Sequence, residues 1–156
     1  MEKTLVIRYH EYPSVDALNQ EEKELMLAAV NATRSAYAPY SHFHVGCALR
    51  LDDGTIVTGS NQENEAYPSG LCAERTALFS AGAHHPGKMI CQLCIAAVDS
   101  DGHLAEASPC GACRQVLLEC RKRQSQPIAV LVGRDDGSVR LFDDIDALIP
   151  FAFSCH

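Results

Sequence analysis

No stretch of this sequence is apolar for anywhere near the ~18 to 20 residues that a membrane-spanning helix needs, which leaves no candidate span. Positive charge is scarce as well, with 13 Lys and Arg against 20 Asp and Glu, a formal net charge of -7 and a pI near 5.4. A nucleic-acid partner calls for a basic footprint to neutralise phosphates, and this balance argues against one. The one basic run, Arg121-Lys122-Arg123, closes a helical stretch, where cations complement the negative end of the helix dipole. Near the start, the apolar run Thr4-Leu5-Val6-Ile7 is cut by Arg8, too short for the core of a secretory signal. A cytoplasmic location is therefore expected. Linkers and low-complexity segments are missing too. What remains, 156 residues of which 47% are hydrophobic and 21% charged, suits a single domain with a real core spanning residues 1–156.

Eight cysteines stand out against this background. In a reducing compartment they read as metal ligands and buried free thiols, since disulfide frameworks belong to small secreted chains. Two strings concentrate the chemistry: Cys72-Ala73-Glu74 and Pro109-Cys110-Gly111-Ala112-Cys113. Three thiolates hold zinc and leave a fourth position for water, and a glutamate two residues past the first ligand is placed to move that water's protons. A ligand, a gap and Glu, followed by Pro-Cys-x-x-Cys, is the signature of zinc-dependent base deaminases. Taken singly, Cys72 reads as a buried thiol and Glu74 as a favourable charge in a first helical turn; the joint pattern carries the assignment. A rival zinc-ribbon reading pairs Cys91 and Cys94 with Cys110 and Cys113. It fails on geometry, because Cys91 and Cys94 lie three apart in a strand-like run and point to opposite faces.

The surrounding pattern alternates helices and strands. Lys3–Tyr12 reads as a short strand within an N-terminal extension (residues 1–13) that Pro13 closes. A helix follows from Asn19, with Glu22 completing a capping box and Leu25, Met26, Ala29 and Val30 on one face, and Pro39 ends it. Phe43–Leu51 and Thr55–Ser60 form a hairpin across Asp53-Gly54. Asn61–Gly70 is a loop. A helix runs from Cys72 to Ala81, where Gly82 stops it, then come a strand over Met89–Val98 and a helix over Gly111–Arg123. Strands Ile128–Val132 and Val139–Phe142 flank Asp136-Gly137, and a short helix, Asp143–Ile149, precedes an apolar tail. The fold class is α/β: a three-layer α/β/α sandwich on a mixed, roughly five-stranded sheet, plus the N-terminal strand.

Cys72-Ala73-Glu74-Arg75-Thr76-Ala77 with Pro109-Cys110-Gly111-Ala112-Cys113-Arg114-Gln115 resembles the small homotetrameric cytidine deaminases, and so do Tyr40-Ser41-His42-Phe43-His44-Val45-Gly46 and Asn61-Gln62-Glu63-Asn64. The resemblance implies zinc, one per chain, on Cys72, Cys110 and Cys113, with Glu74 as the proton shuttle and Arg75 paired to a ligand thiolate. It places Asn61 and Glu63 on the ribose 3'-hydroxyl and Phe43 beside the base; the Ala73 amide, at a helix start, is placed to bind the pyrimidine carbonyl, and Tyr67 is a further candidate, at the substrate or at an interface. Read without it, Asn61 to Glu63 is a polar loop and Phe43 an inward strand residue. By the same resemblance Phe153 reaches a neighbouring subunit's site in a homotetramer; the apolar tail packing on its own sheet is the alternative. The implied activity is hydrolytic deamination of cytidine and deoxycytidine in pyrimidine salvage, with a blasticidin-type or other aminopyrimidine as the competing substrate. Gln62, Glu65 and Pro68-Ser69-Gly70 depart from the family's usual pattern beside the ribose motif.

Overall fold

The computed structural model describes residues 1–153. Five longer strands form the body of a mixed sheet: β2 (His44–Leu51), β3 (Ile56–Ser60), β4 (Ile90–Val98), β6 (Ala129–Gly133) and β7 (Val139–Phe142). Two short ones extend it, β1 (His10–Tyr12) on the far side of β7 and β5 (Leu104–Ala105) beside the end of β4. The order is β1-β7-β6-β4-β2-β3, with β4 and β6 parallel and the other pairings antiparallel. Three helices cover it: α1 (Gln20–Ala32), α2 (Ala73–His84) and α3 (Gly111–Lys122).

Strand alternation divides the core into two faces. On β2 and β4, Cys47, Leu49, Leu51, Leu93 and Ile95 meet Ala77, Leu78 and Ala81 of α2 and Leu117 of α3. The intervening Ala48, Cys94 and Ala96 meet Leu25, Met26 and Ala29 of α1. Each fully buried Leu or Ile contributes about 1.5 to 3 kcal/mol through removal from water. The expected three-layer arrangement is thus present. Two glycines bring the helices to backbone contact with the sheet. A Cβ built on Gly46 would lie 2.0 Å from the Ala29 carbonyl oxygen of α1, and one on Gly59 would lie 2.5 Å from the Ala77 nitrogen of α2.

The capping box holds: the Glu22 amide donates to Asn19 Oδ1 at 2.9 Å, and the Asn19 amide donates to Glu22 Oε2 at 3.2 Å. Several expectations need correction. Only His10–Tyr12 of the Lys3–Tyr12 run pairs as a strand, on Leu141, Arg140 and Val139 of β7; residues 3–9 before it are all exposed, with no face buried to hold them in the sheet. Helix α1 ends at Ala32 in a 3-10 turn, Thr33–Ser35, well before Pro39. Helix α2 continues through the exposed Gly82 to His84, since one solvent-facing glycine costs a helix only about 1 kcal/mol. The predicted helix at Asp143–Ile149 is a 3-10 turn, Ile145–Leu148. Strand β5 is too short to carry a periodic signal, and it brings the sheet to seven strands.

Candidate active site

Helices α2 and α3 begin side by side, and each begins on a cysteine. Cys72 and Cys110 occupy the N-cap positions with extended backbones, and neither side chain caps its helix. Their sulfurs are free to turn towards each other. Cys72 Sγ lies 3.8 Å from Cys110 Sγ, and Cys110 Sγ lies 3.4 Å from Cys113 Sγ one turn into α3. Tetrahedral zinc with ~2.3 Å bonds to sulfur requires ligand sulfurs about 3.8 Å apart. The three thiols fit that ion and leave one coordination position to a non-protein group.

Two helix N-termini and Arg75 supply the positive field that three thiolates need. Cys72 is brought down to about 5 by a hydrogen bond from Cys113 and by the Arg75 guanidinium, whose Nη2 lies 3.6 Å from its sulfur. The Cys113 thiol, as donor to Cys72 and buried, moves upward in step. Glu74, in the first turn of α2, is only 4% exposed, and burial pushes its carboxyl up to about 7. A carboxyl in that range exchanges protons readily at neutral pH.

A cleft opens in front of this cluster. One lobe, about 570 Å³, is lined by Phe43, Asn61, Glu63, Ala73, Glu74 and Cys110 among others; an adjoining lobe of about 530 Å³ adds Tyr40, Tyr67 and Arg75. Ser41, Asn61, Glu63 and Cys72 line both. The first lobe brings together most of the residues singled out from sequence.

Asn61 and Glu63 of the Asn61-Gln62-Glu63 loop are held by the facing turn. Asn61 Oδ1 accepts the Val45 amide at 2.8 Å, and its Nδ2 donates to the Phe43 carbonyl at 2.9 Å. Glu63 accepts the Tyr40 and Ser41 amides on Oε2 at 2.9 and 3.3 Å, and the Ser41 hydroxyl on Oε1. That hydroxyl, more than any other group, holds the Glu63 carboxyl below the ordinary glutamate range. After these bonds one amide hydrogen of Asn61 and spare lone pairs of Glu63 remain, a donor and an acceptor side by side, which suits a hydroxyl.

Tyr67 stands at the mouth, 78% exposed, edge-on to Tyr40 with ring centroids 6.2 Å apart. Phe153 lines neither lobe and is 73% exposed. Sequence reasoning missed Ser41, although it sits inside the Tyr-Ser-His-Phe string. It also missed Glu106, which lines the first lobe and is clamped by Arg134 Nε and Arg140 Nη1, each at 3.0 Å. Glu106 lies four residues before Cys110, and that proximity was its only local signal.

Cys91 and Cys94 take no part in the cluster. Cys94 is buried against Met26 Sδ of α1 at 3.5 Å, and Cys91 is half-buried and lies outside the group of three thiols. The other grouping of potential ligands among the described residues, Asp99, Asp101 and His103, is a turn: Asp99 Oδ1 accepts the amides of Asp101 and His103, both at 2.9 Å.

A family model described as the cytidine and deoxycytidylate deaminase zinc-binding region matches residues 19–126. Cytidine deaminase from Sporosarcina psychrophila is 44% identical over 133 residues, 85% of this chain and 90% of that protein. Cytidine deaminase from Mycobacterium tuberculosis is 44% identical over 91 residues, which span 58% of this chain and 65% of that enzyme. Among solved structures, cytidine deaminase from Burkholderia pseudomallei superposes with a TM-score of 0.72 at 40% identity, covering 83% of this chain and 97% of that one.

Proposed function

We propose, because this chain belongs to the cytidine and deoxycytidylate deaminase family, that it catalyses hydrolytic deamination of cytidine and deoxycytidine to uridine and deoxyuridine with release of ammonia. The observation that carries this reading is the convergence of Cys72, Cys110 and Cys113 at two helix N-termini, with the buried Glu74 beside them at the floor of a cleft.

Cys72, Cys110 and Cys113 would hold one zinc ion, whose Lewis acidity lowers the pKa of a water so that it is nucleophilic near neutral pH. Glu74 accepts a proton from the attacking water and passes it to the ring nitrogen; once the water oxygen is bonded to the amine-bearing carbon, Glu74 takes its remaining proton and delivers it to the amine as the carbon–nitrogen bond breaks. Protonating the ring makes the amine-bearing carbon electrophilic, so a single carboxyl serves both directions of transfer. Arg75 offsets the negative charge of three thiolates through Cys72. The amide of Ala73, among the unpaired donors of the first turn of α2, receives the pyrimidine carbonyl oxygen. Asn61 and Glu63 bind the ribose 3'-hydroxyl through the donor and acceptor they have left. Phe43 flanks the base, and Tyr67 with Tyr40 borders the mouth of the cleft.

The same reading takes the chain as one deaminase-like domain with residues 1–13 as an extension, working in the cytoplasm as a homotetramer in pyrimidine salvage. Phe151 and Phe153, 97% and 73% exposed, support a covered tail, with Phe153 completing a neighbour's site. A fully active monomer in solution would rule the shared site out. The deciding experiment is ultraviolet-monitored conversion of cytidine, and of deoxycytidine in parallel, by zinc-loaded protein. Rapid formation of uridine is expected. No conversion with one zinc per chain retained would overturn cytidine as substrate and move the assignment to another aminopyrimidine.

A further inference from the structure

We infer that Ser41 is a positioning residue for the nucleoside: its hydroxyl ties the Glu63 carboxylate to the backbone of Phe43, fixing the sugar end and the base end of the cleft together. The inference rests on the roles given above to Glu63 and Phe43.

The segment before β2 is zipped onto the loop after β3. The Tyr37 amide donates to the Asn61 carbonyl at 3.0 Å, and the Glu63 amide donates to the Tyr37 carbonyl at 2.8 Å. The chain then doubles back on itself, with the His42 amide on the Ala38 carbonyl at 3.0 Å and His42 in the left-handed region at φ 54. A residue with a Cβ holds that conformation at a cost, and only where its surroundings over-determine it. The result is a Ser41 side chain lying over Glu63.

A serine hydroxyl has one hydrogen and two lone pairs. Ser41 donates its hydrogen to Glu63 Oε1, and Ser41 Oγ accepts the Phe43 amide at 3.1 Å. The second bond alone is an ordinary local turn contact. The first crosses 22 residues of sequence and engages a carboxylate, which makes it the stronger of the two. The amides of Tyr40 and Ser41 hold Oε2, so Ser41 supplies the contact that fixes Oε1. Removing the hydroxyl releases Glu63 Oε1 and the Phe43 amide in one change, while Cys72, Glu74, Cys110 and Cys113 keep their partners.

The test compares zinc-loaded wild type, Ser41→Ala and Ser41→Thr on cytidine and on 3'-deoxycytidine. Loss of one charge-assisted bond at an exposed loop predicts a five- to tenfold rise in KM for cytidine in Ser41→Ala, about twofold or less in kcat, and restoration by threonine. The rise should shrink on the analogue that lacks the 3'-hydroxyl. Equal losses on both substrates, or a fall in kcat with KM unchanged, would overturn the positioning role. Carboxyl ¹³C titration of Glu63 reads the clamp without turnover: its pKa should move up towards the ordinary glutamate range in Ser41→Ala and stay low in Ser41→Thr. An unmoved Glu63 sinks the inference whatever the kinetics. If wild type leaves cytidine unchanged but Glu63 titrates as expected, the substrate assignment fails and the clamp stands.

Discussion

Gly59 is a backbone position on β3 that sets where the catalytic helix sits. A Cβ placed there would meet the Ala77 nitrogen at 2.5 Å, the Ala73 carbonyl oxygen at 2.7 Å and the Ala77 Cα at 3.0 Å, all of them main-chain atoms of α2. Ordinary contact for such a carbon begins near 3.4 Å, so the overlap is about 0.9 Å and no side-chain rotation relieves it. In Gly59→Ala the helix must therefore lift by on the order of 1 Å. Overpacking of that kind costs about 1 to 3 kcal/mol. At roughly 2 to 4 °C per kcal/mol for a chain this size, Tm should fall by about 2 to 12 °C. The larger effect is catalytic. Ala73 lies between Cys72 and Glu74, so lifting this end of α2 displaces the proposed metal ligand Cys72 and the proposed proton shuttle Glu74 relative to α3, and a 1 Å error in such a site costs up to about 100-fold in rate. Thermal unfolding and steady-state deamination of zinc-saturated protein measure both. A Gly59→Ala protein with wild-type Tm and kcat would refute the claim that this contact sets the site.

Replacing Glu74 by Gln should leave zinc bound and lower kcat by about 10² to 10⁴, the share general acid–base transfer supplies; near-wild-type turnover in a metal-replete variant would sink the shuttle role. Serine at Cys72, Cys110 or Cys113 should release metal on dialysis, whereas Cys91→Ser should retain one ion per chain, as read by elemental analysis; loss of metal from Cys91→Ser would revive the ribbon. Gly82→Ala should stabilise by about 0.5 to 1 kcal/mol, because the site is helical, exposed and has nothing within 4 Å of the new Cβ. Thermal unfolding decides that case, and a lowered Tm would show that α2 does not continue through residue 82 in solution.

What sequence reveals here tracks how local each signal is. Asn19 and Glu22 form their capping box within one turn, and Asp53-Gly54 closes its hairpin within four residues, so both elements were legible. Strand β5 and the truncation of β1 were not, because a two- or three-residue strand is defined by its partner. The site divides in the same way. Cys72, Glu74, Cys110 and Cys113 announce themselves by spacing, whereas Ser41 matters only because Glu63, 22 residues on, folds beneath it, and Glu106 only because Arg134 and Arg140 hold it.

The cysteines were legible for a physical reason that the structure sharpens. A helix start favours Ser, Thr, Asp or Asn, whose oxygen satisfies an unpaired amide; forgoing that cap costs about 1 kcal/mol. Helix α1 uses Asn19 in this way, while α2 and α3 both begin on a cysteine that caps nothing. The two uncapped starts are adjacent, and their side chains turn instead towards one another and towards Cys113. Two neighbouring helices giving up the same local stabilisation, with sulfurs at zinc-ligand separation as the outcome, is a conflict between local preference and fold that a structural role for buried thiols does not explain and a metal centre does.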